Sequence, residues 1–447
     1  MVKATMRRSG GLNVWMNGVL VGHWQVSRGG THVFQYDHDW VSAPEYRQLS
    51  LSLPMTSDAD VSGPEVEAYF DNLLPDPPEI RQRLALRFTT KSTNAFDLLS
   101  VIGRDCVGAV QTLPPDETPE GYNRLEYEEV DDKRIEHILA SVTSRSPLGS
   151  PDAGDDFRIS IAGAQEKTAL LKVGGQWCTP KGATPTTHIL KLPLGALGGR
   201  LNLDMSNSVE NEWLCSRILR ALKLDIAETE VLTFGAQKVL VVERFDRRWA
   251  EAGDWILRIP QEDFCQATGT PTARKYEADG GPGLEQCMAI LGGSRDPNAD
   301  LIKFLRTQVA FWLLAATDGH AKNFSIFNLA GDEYALTPLY DVLSAWPVIG
   351  HGDRLLPLQS VKMAMAVRSK NVHYHLAEIK ARHWKMLAQR SGADGAWAWI
   401  MSMVTSVDSA LETVEKELPA DFPVVLWETV RDGVRGQAAA FLKDVPA

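Results

Sequence analysis

Between residues 12 and 36 apolar and polar positions alternate, as in Leu12-Asn13-Val14-Trp15-Met16, and Asn17-Gly18 breaks the run before Val19–Trp24 resumes it. A two-residue Asn-Gly break between such runs predicts a tight hairpin, so the chain opens in β-structure. Val66–Leu74, followed by Pro75, Pro77 and Pro78, predicts a short helix stopped by prolines. Asn94–Val101, ending at Gly103, predicts another. This N-terminal block, 1–115, gives way at 116–156 to an acidic connecting segment that carries Pro119, Pro147 and Pro151 and one helical stretch around Lys133–Ser141. A domain boundary is expected there.

Residues 157–245 change character. Phe157–Ile161, Lys167–Val173, Thr187–Leu192, Glu228–Thr233 and Lys238–Val242 are five strand-like runs rich in β-branched and apolar residues. One helix interrupts them, starting at the capping types Ser206, Asn207 and Ser208 and running to Leu222, with Val209, Trp213, Ile218 and Leu222 on its apolar face. Beyond Asp246 the period is helical over 261–269, 283–292, 298–316, 376–392, 395–417 and 427–443. The single expected exception is a hairpin, Phe324–Leu329 and Tyr334–Leu339. The pattern predicts an α+β chain of bilobal, protein-kinase-like build. Its β-rich N-terminal domain comprises the 1–115 subdomain and a small lobe, 157–245, and a mostly helical C-terminal lobe, 246–447, follows.

Composition narrows the options. The 447 residues carry 46 Lys and Arg against 57 Asp and Glu, a net charge of -11, so a nucleic-acid binder working by bulk positive charge is excluded and any phosphate site must be built locally. With 44% hydrophobic and 23% charged residues the chain has the make-up of a folded protein. Five scattered cysteines without a Cys-x-x-Cys pair read as a reduced compartment and no zinc site. No run of eighteen apolar residues occurs, and the expected location is the cytoplasm.

The strongest chemical signal is Thr317-Asp318-Gly319-His320-Ala321-Lys322-Asn323, followed by the hairpin and then Tyr340-Asp341. Phosphoryl transfer needs a carboxylate beside the attacking hydroxyl and oxygen ligands for Mg²⁺. Asp318 and Asn323 stand in the Asp-x-x-x-x-Asn spacing of a kinase catalytic loop, and Asp341 falls just past a hairpin, where a second metal ligand is expected. A small-residue loop, Ala162-Gly163-Ala164, lies between two strand-like runs, and such loops let backbone N–H groups approach phosphate oxygens. Lys191 alternates with apolar residues in the next strand, where a kinase places the lysine that contacts phosphates. Its carboxylate partner should come from the following helix: Glu212 is favoured, with Glu210 as competitor. Val241–Asp246 closes the small lobe, a natural hinge for adenine with Phe245 against the ring.

Six longer strings carry a resemblance: RISIAGAQEKTALL (158–171), PTTHILKLP (185–193), VERFDRRW (242–249), PQEDFCQ (260–266), KYEADGGPG (275–283) and ATDGHAKNFS (316–325). With YFDNLLPD (69–76) and GRDCVG (103–108) they resemble the HipA family of bacterial toxin kinases over nearly the whole chain. The resemblance implies a serine/threonine kinase using ATP and Mg²⁺, the toxin of a type II toxin–antitoxin module. Its partners would be a small helix-turn-helix antitoxin (HipB-like), operator DNA reached through that complex, and an aminoacyl-tRNA synthetase as substrate, the glutamyl enzyme foremost. Carried over by position, Asp318 would be the catalytic base, Asn323 and Asp341 the Mg²⁺ ligands, and Lys191 the phosphate lysine. Lys167 and His320 would be further phosphate contacts, Glu243, Phe245 and Asp246 the nucleotide hinge, and Ser160 the autophosphorylation site.

Departures from ordinary protein kinases are plain: Ala316-Thr317 precede Asp318 in place of His-Arg, and Val342-Leu343 follow Asp341 in place of Phe-Gly. Control is therefore expected from elsewhere, with Ser160 the candidate. Residues 351–390 hold eight Lys and Arg against Asp353 and Glu378, with four histidines besides, and could face DNA phosphates or an acidic partner. Two other readings compete: a small-molecule kinase of aminoglycoside-phosphotransferase type, and an inactive pseudokinase acting only as co-repressor.

Overall fold

Asn17 and Gly18 take φ of +46° and +83°, the mirror-image turn that suits the right-handed twist of a hairpin, and the strands Leu12–Met16 and Val19–Val26 pair antiparallel around them. In the computed structural model, which describes residues 11–55, 60–143, 162–163, 165–197 and 203–445, this hairpin is the centre of a five-stranded sheet. His32–Tyr36 and Asp60–Ser62 extend it on one side, and Val110–Leu113 pairs with Leu12–Met16 on the other. The helices Pro64–Asp71 and Ala95–Ile102 bury Phe70, Leu98 and Leu99 against it, with Asn94 capping the second through the Asp97 amide.

The small lobe is a six-stranded sheet in the order Thr229–Phe234, Gln237–Glu243, His188–Lys191, Lys167–Val173, Gln176–Pro180, Tyr127–Glu129. Four of its strands match expected runs, whereas Phe157–Ile161 lies outside the described residues. Gln176–Pro180 was not anticipated. The 116–156 stretch is more than a connector. Its Tyr127–Glu129 pairs with the Gln176–Pro180 strand, and its helix Asp132–Thr143 packs Ile135 and Leu139 against Leu170, Leu190 and Val239. The helix Ser208–Ala221 covers the sheet facing the C-terminal lobe, burying Val209, Leu214 and Ile218.

In the C-terminal lobe the helices Leu284–Leu291, Pro297–Leu314, Ala381–Arg390 and Val424–Lys443 form as the period predicts, the third starting later than expected because 376–378 is a separate 3₁₀ turn. The expected 395–417 helix is two, Ala396–Thr405 and Val407–Glu417, broken at Ser406. Expectations fail in three places. Residues 261–269 are not one helix: Gln261–Asp263 is a strand paired with Ser325–Phe327, after which Asp263 caps a single turn, Phe264–Ala267. Arg247–Trp249 pairs with Ile256–Arg258, and a further hairpin, Lys362–Arg368 with Val372–His375, also stands where none was expected. Its first strand is buried at five consecutive positions, so no alternation marked it. No helix among the described residues is long and apolar enough to cross a membrane.

Candidate active site

The buried helix Pro297–Leu314 ends at Ala315, whose φ of +49° turns the chain sharply into the Thr317–Asn323 loop. Asp341 is also left-handed, at φ +61°. Non-glycine residues in this region cost on the order of 1 kcal/mol and gather at functional sites. Asn323 Nδ2 donates to the Asp341 backbone carbonyl at 3.3 Å, joining loop and hairpin exit.

Lys191 ends its strand opposite Lys167 and reaches down between the lobes. Its Nζ lies 2.5 Å from Glu212 Oε1 and 2.8 Å from Asp341 Oδ1. Glu210, the competitor, instead pairs with Lys238 at 2.7 Å. Burial opposes the charge on Lys191, but Asp341 and Glu212 more than reverse this and raise its pKa. Burial likewise opposes ionisation of Asp341, and Lys191 and Lys167 hold its carboxyl well below the usual range nonetheless. Lys167 is brought by burial to about 8, against the pull of Asp341. Two ammonium groups and two carboxylates thus balance in one crowded space. Gly163 lies over it at φ +110°, a backbone conformation strained for any residue with a side chain, which favours glycine there.

Asp318 sits at the cleft mouth with its carboxylate in reach of solvent. The protein crowded round it raises its pKa, while a hydrogen bond from Tyr276 Oη to Asp318 Oδ1 works to lower it. His320 is buried beneath, edge-on to Tyr276 with ring centroids 5.0 Å apart, and burial lowers its pKa to about 3. It is therefore neutral at pH 7. Its buried Nδ1 has no hydrogen-bond partner among the described residues, as a group awaiting a ligand would. The Asn323 amide and Asp341 carboxylate supply hard oxygen donors of the kind that hold Mg²⁺ beside phosphate oxygens and water.

The expected hinge divides. Phe245 is half-buried, edge-on to Phe327 and tilted on Tyr340, with both centroids 5.8 Å away, and Glu243 is exposed at the strand end. Asp246, expected in the nucleotide group, is instead enclosed. It accepts from Arg244 Nε at 2.9 Å, the Gly108 amide at 2.7 Å and Gln261 Nε2 at 3.1 Å. Its carboxylate is consumed in joining the N-terminal block to the hinge, which leaves none of it for a nucleotide. Asp105 is its counterpart, accepting from Thr186 Oγ1 at 2.6 Å, Arg247 Nη2 at 3.0 Å and Arg258 Nε at 3.2 Å. Ala162 borders the cleft beside Gly163, while Ser160 and Ala164 lie outside the described residues.

Tyr276, Lys275, Lys322, Asp76 and Asp105 were not singled out from sequence. All stand inside strings quoted for the resemblance, but their partners are distant in the chain, and no local spacing marks them.

Two lobes around a lysine bridged to two carboxylates, above an Asp–Asn loop, define a protein-kinase-like fold. Residues 12–113 match the HipA N-terminal domain family and 159–418 the HipA-like C-terminal domain family, and the chain belongs to the HipA family. It is 34% identical over 417 residues, 91% of each chain, to a Sinorhizobium fredii protein named "Putative kinase Y4mE". It is 28% identical over 327 residues, 70% of each chain, to the serine/threonine-protein kinase toxin HipA of Shewanella oneidensis. Among solved structures it resembles a chain of the Shewanella oneidensis MR-1 toxin–antitoxin complex of HipA, HipB and operator DNA. That match has a TM-score of 0.76 at 21% identity and covers 98% of this chain and 100% of that one.

Proposed function

We propose that the protein is an ATP-dependent serine/threonine kinase that acts as the toxin of a toxin–antitoxin module, phosphorylating an aminoacyl-tRNA synthetase so that translation and growth stop. The observation that carries this reading is Lys191 held charged between Glu212 and Asp341, beside Asp318 and Asn323. Such intact machinery speaks against a pseudokinase. In the reaction Lys191 and Lys167 hold phosphate oxygens, while Asp318 orients the acceptor hydroxyl and takes its proton as the oxygen attacks the γ-phosphorus of ATP and ADP leaves. Mg²⁺, held by Asn323 and Asp341, would supply charge neutralisation. A small helix-turn-helix antitoxin would keep the module repressed on its operator. The exposed Lys362, Lys370 and Lys380 of region 351–390 are available to acidic partners there, whereas Arg368 is engaged by Glu277 at 2.5 Å.

Incubation with ATP, Mg²⁺ and purified synthetases, the glutamyl enzyme first, should phosphorylate one of them, whereas transfer only to small hydroxylated metabolites would favour the aminoglycoside-kinase alternative. We also assign self-inactivation to Ser160. A phosphate there adds about two negative charges beside the loop that must approach ATP, so mass spectrometry should find the modified form binding nucleotide poorly. A phospho-form that binds ATP as tightly as the unmodified protein would refute the mechanism. Finally, Tyr276→Phe removes a donor that lowers the pKa of Asp318. The base must be ionised to accept a proton, so raising its pKa should move the acid limb of the kcat–pH profile to higher pH. An unmoved limb would show that the hydrogen bond does not tune the base.

A further inference from the structure

Asp76 closes the Tyr69–Asp76 string of the N-terminal domain, yet it reaches the catalytic cleft. Its Oδ1 is 2.8 Å from Lys322 Nζ and its Oδ2 2.6 Å from Lys275 Nζ. Lys322 precedes Asn323, and Lys275 precedes Tyr276, whose hydroxyl holds Asp318. The Asp76 amide also donates to the Gly163 carbonyl at 3.2 Å, next to a parallel bridge between Pro75 and Gly163. One residue from outside the two lobes therefore touches the catalytic loop, the segment carrying Tyr276 and the loop above the lysines.

The chemistry of the contact is specific. The side chain of Lys322 is only 4% exposed, and an ammonium so enclosed needs a carboxylate. Without Asp76 the acids that already feel the two lysines are Asp318, which feels Lys275, and Asp263, which feels Lys322. A lysine on Asp318 would occupy the oxygen that has to accept the acceptor proton, and Lys322 could not turn toward it without dragging Asn323. Burial opposes ionisation of Asp76, but the two lysines hold its pKa at about 2, so it stays charged through the physiological range.

We propose that Asp76 is a positioning residue for phosphoryl transfer, so that the N-terminal domain completes the catalytic centre by holding Lys322 and Lys275 off the catalytic carboxylates. The inference rests on the kinase reading above. A misplacement of about 1 Å can cost on the order of 10²-fold in rate.

The test uses the full chain. Asp76→Asn keeps shape and loses charge, Asp76→Glu keeps charge, and Ser50→Ala loosens the same domain interface through other partners, since Ser50 Oγ bonds Glu262 and the Gln266 carbonyl rather than Lys322 or Lys275. ADP production at saturating ATP and Mg²⁺ should fall about 10- to 100-fold in Asp76→Asn with ATP affinity changed less than about threefold, and Asp76→Glu should recover much of it. Ser50→Ala should lower the melting temperature and keep the rate. Amide hydrogen exchange over 317–323 should quicken in Asp76→Asn and not in Ser50→Ala. An unchanged rate in Asp76→Asn, a loss confined to ATP affinity, or equal losses in Asp76→Asn and Ser50→Ala would overturn the proposal. If the wild-type protein made no ADP, the kinase reading would fail, and the exchange comparison alone would still decide whether Asp76 positions the loop.

Discussion

Asp318→Asn and Asp341→Ala are each expected to abolish phosphoryl transfer and growth inhibition while leaving the fold intact. An asparagine at 318 cannot take the acceptor proton, and its amide would offer a donor where the reaction needs an acceptor. Alanine at 341 removes the carboxylate proposed to hold Mg²⁺ and also unbalances the cleft. Lys191 loses the carboxylate 2.8 Å away and is left with Glu212 at 2.5 Å. Removal of one oriented charged group costs on the order of 10²-fold or more. Transfer assays and a growth assay, with circular dichroism to verify folding, check both variants. Near-wild-type activity in either would mean that the Asp318–Asp341 assignment is wrong.

Asp105→Ala should produce the largest loss of stability. Its carboxylate and that of Asp246 share three buried arginines, Arg244, Arg247 and Arg258, each no more than 2% exposed. The substitution leaves three cations around one anion. Breaking a buried pair by removing one partner costs about 3–5 kcal/mol, because the surviving charges stay desolvated. A denaturant melt followed by tryptophan fluorescence should show the midpoint falling accordingly. Burial opposes ionisation of Asp105, yet the arginines depress its folded pKa below the ordinary value near 4. Its stabilisation is thus complete above about pH 4 and fades as pH falls toward the depressed value. The wild type should therefore lose stability over that acid range, and the variant should lose less.

Short-range signals were legible in the sequence. The Asn17-Gly18 turn and the short helix beginning near Asn94 each depend on neighbours within a few residues, and each is found. Glu212 was readable because helical periodicity placed it on the face toward the strand that carries Lys191. What escaped depends on distant partners. Gln261–Asp263 becomes a strand only because Ser325–Phe327 pairs with it across the lobe. Lys362–Arg368 hides its strand character because nearly all of it is buried. Asp246 was assigned to the nucleotide hinge by carry-over from the resemblance, but a side chain next to Phe245 in sequence can point into a different core, here toward Gly108 and Arg244. Asp76 met no motif for a catalytic role, since the lysines it holds lie about two hundred residues or more away.

The central claim is that this cleft moves the γ-phosphoryl group of ATP to a protein hydroxyl. It is tested most directly by intact-mass spectrometry of purified aminoacyl-tRNA synthetases after incubation with the protein, ATP and Mg²⁺, with Asp318→Asn run in parallel. The account predicts that one synthetase gains a phosphoryl group on a serine or threonine with the wild type and none with the variant. It would be contradicted if no synthetase gained mass with the wild type, or if the gain were the same with Asp318→Asn.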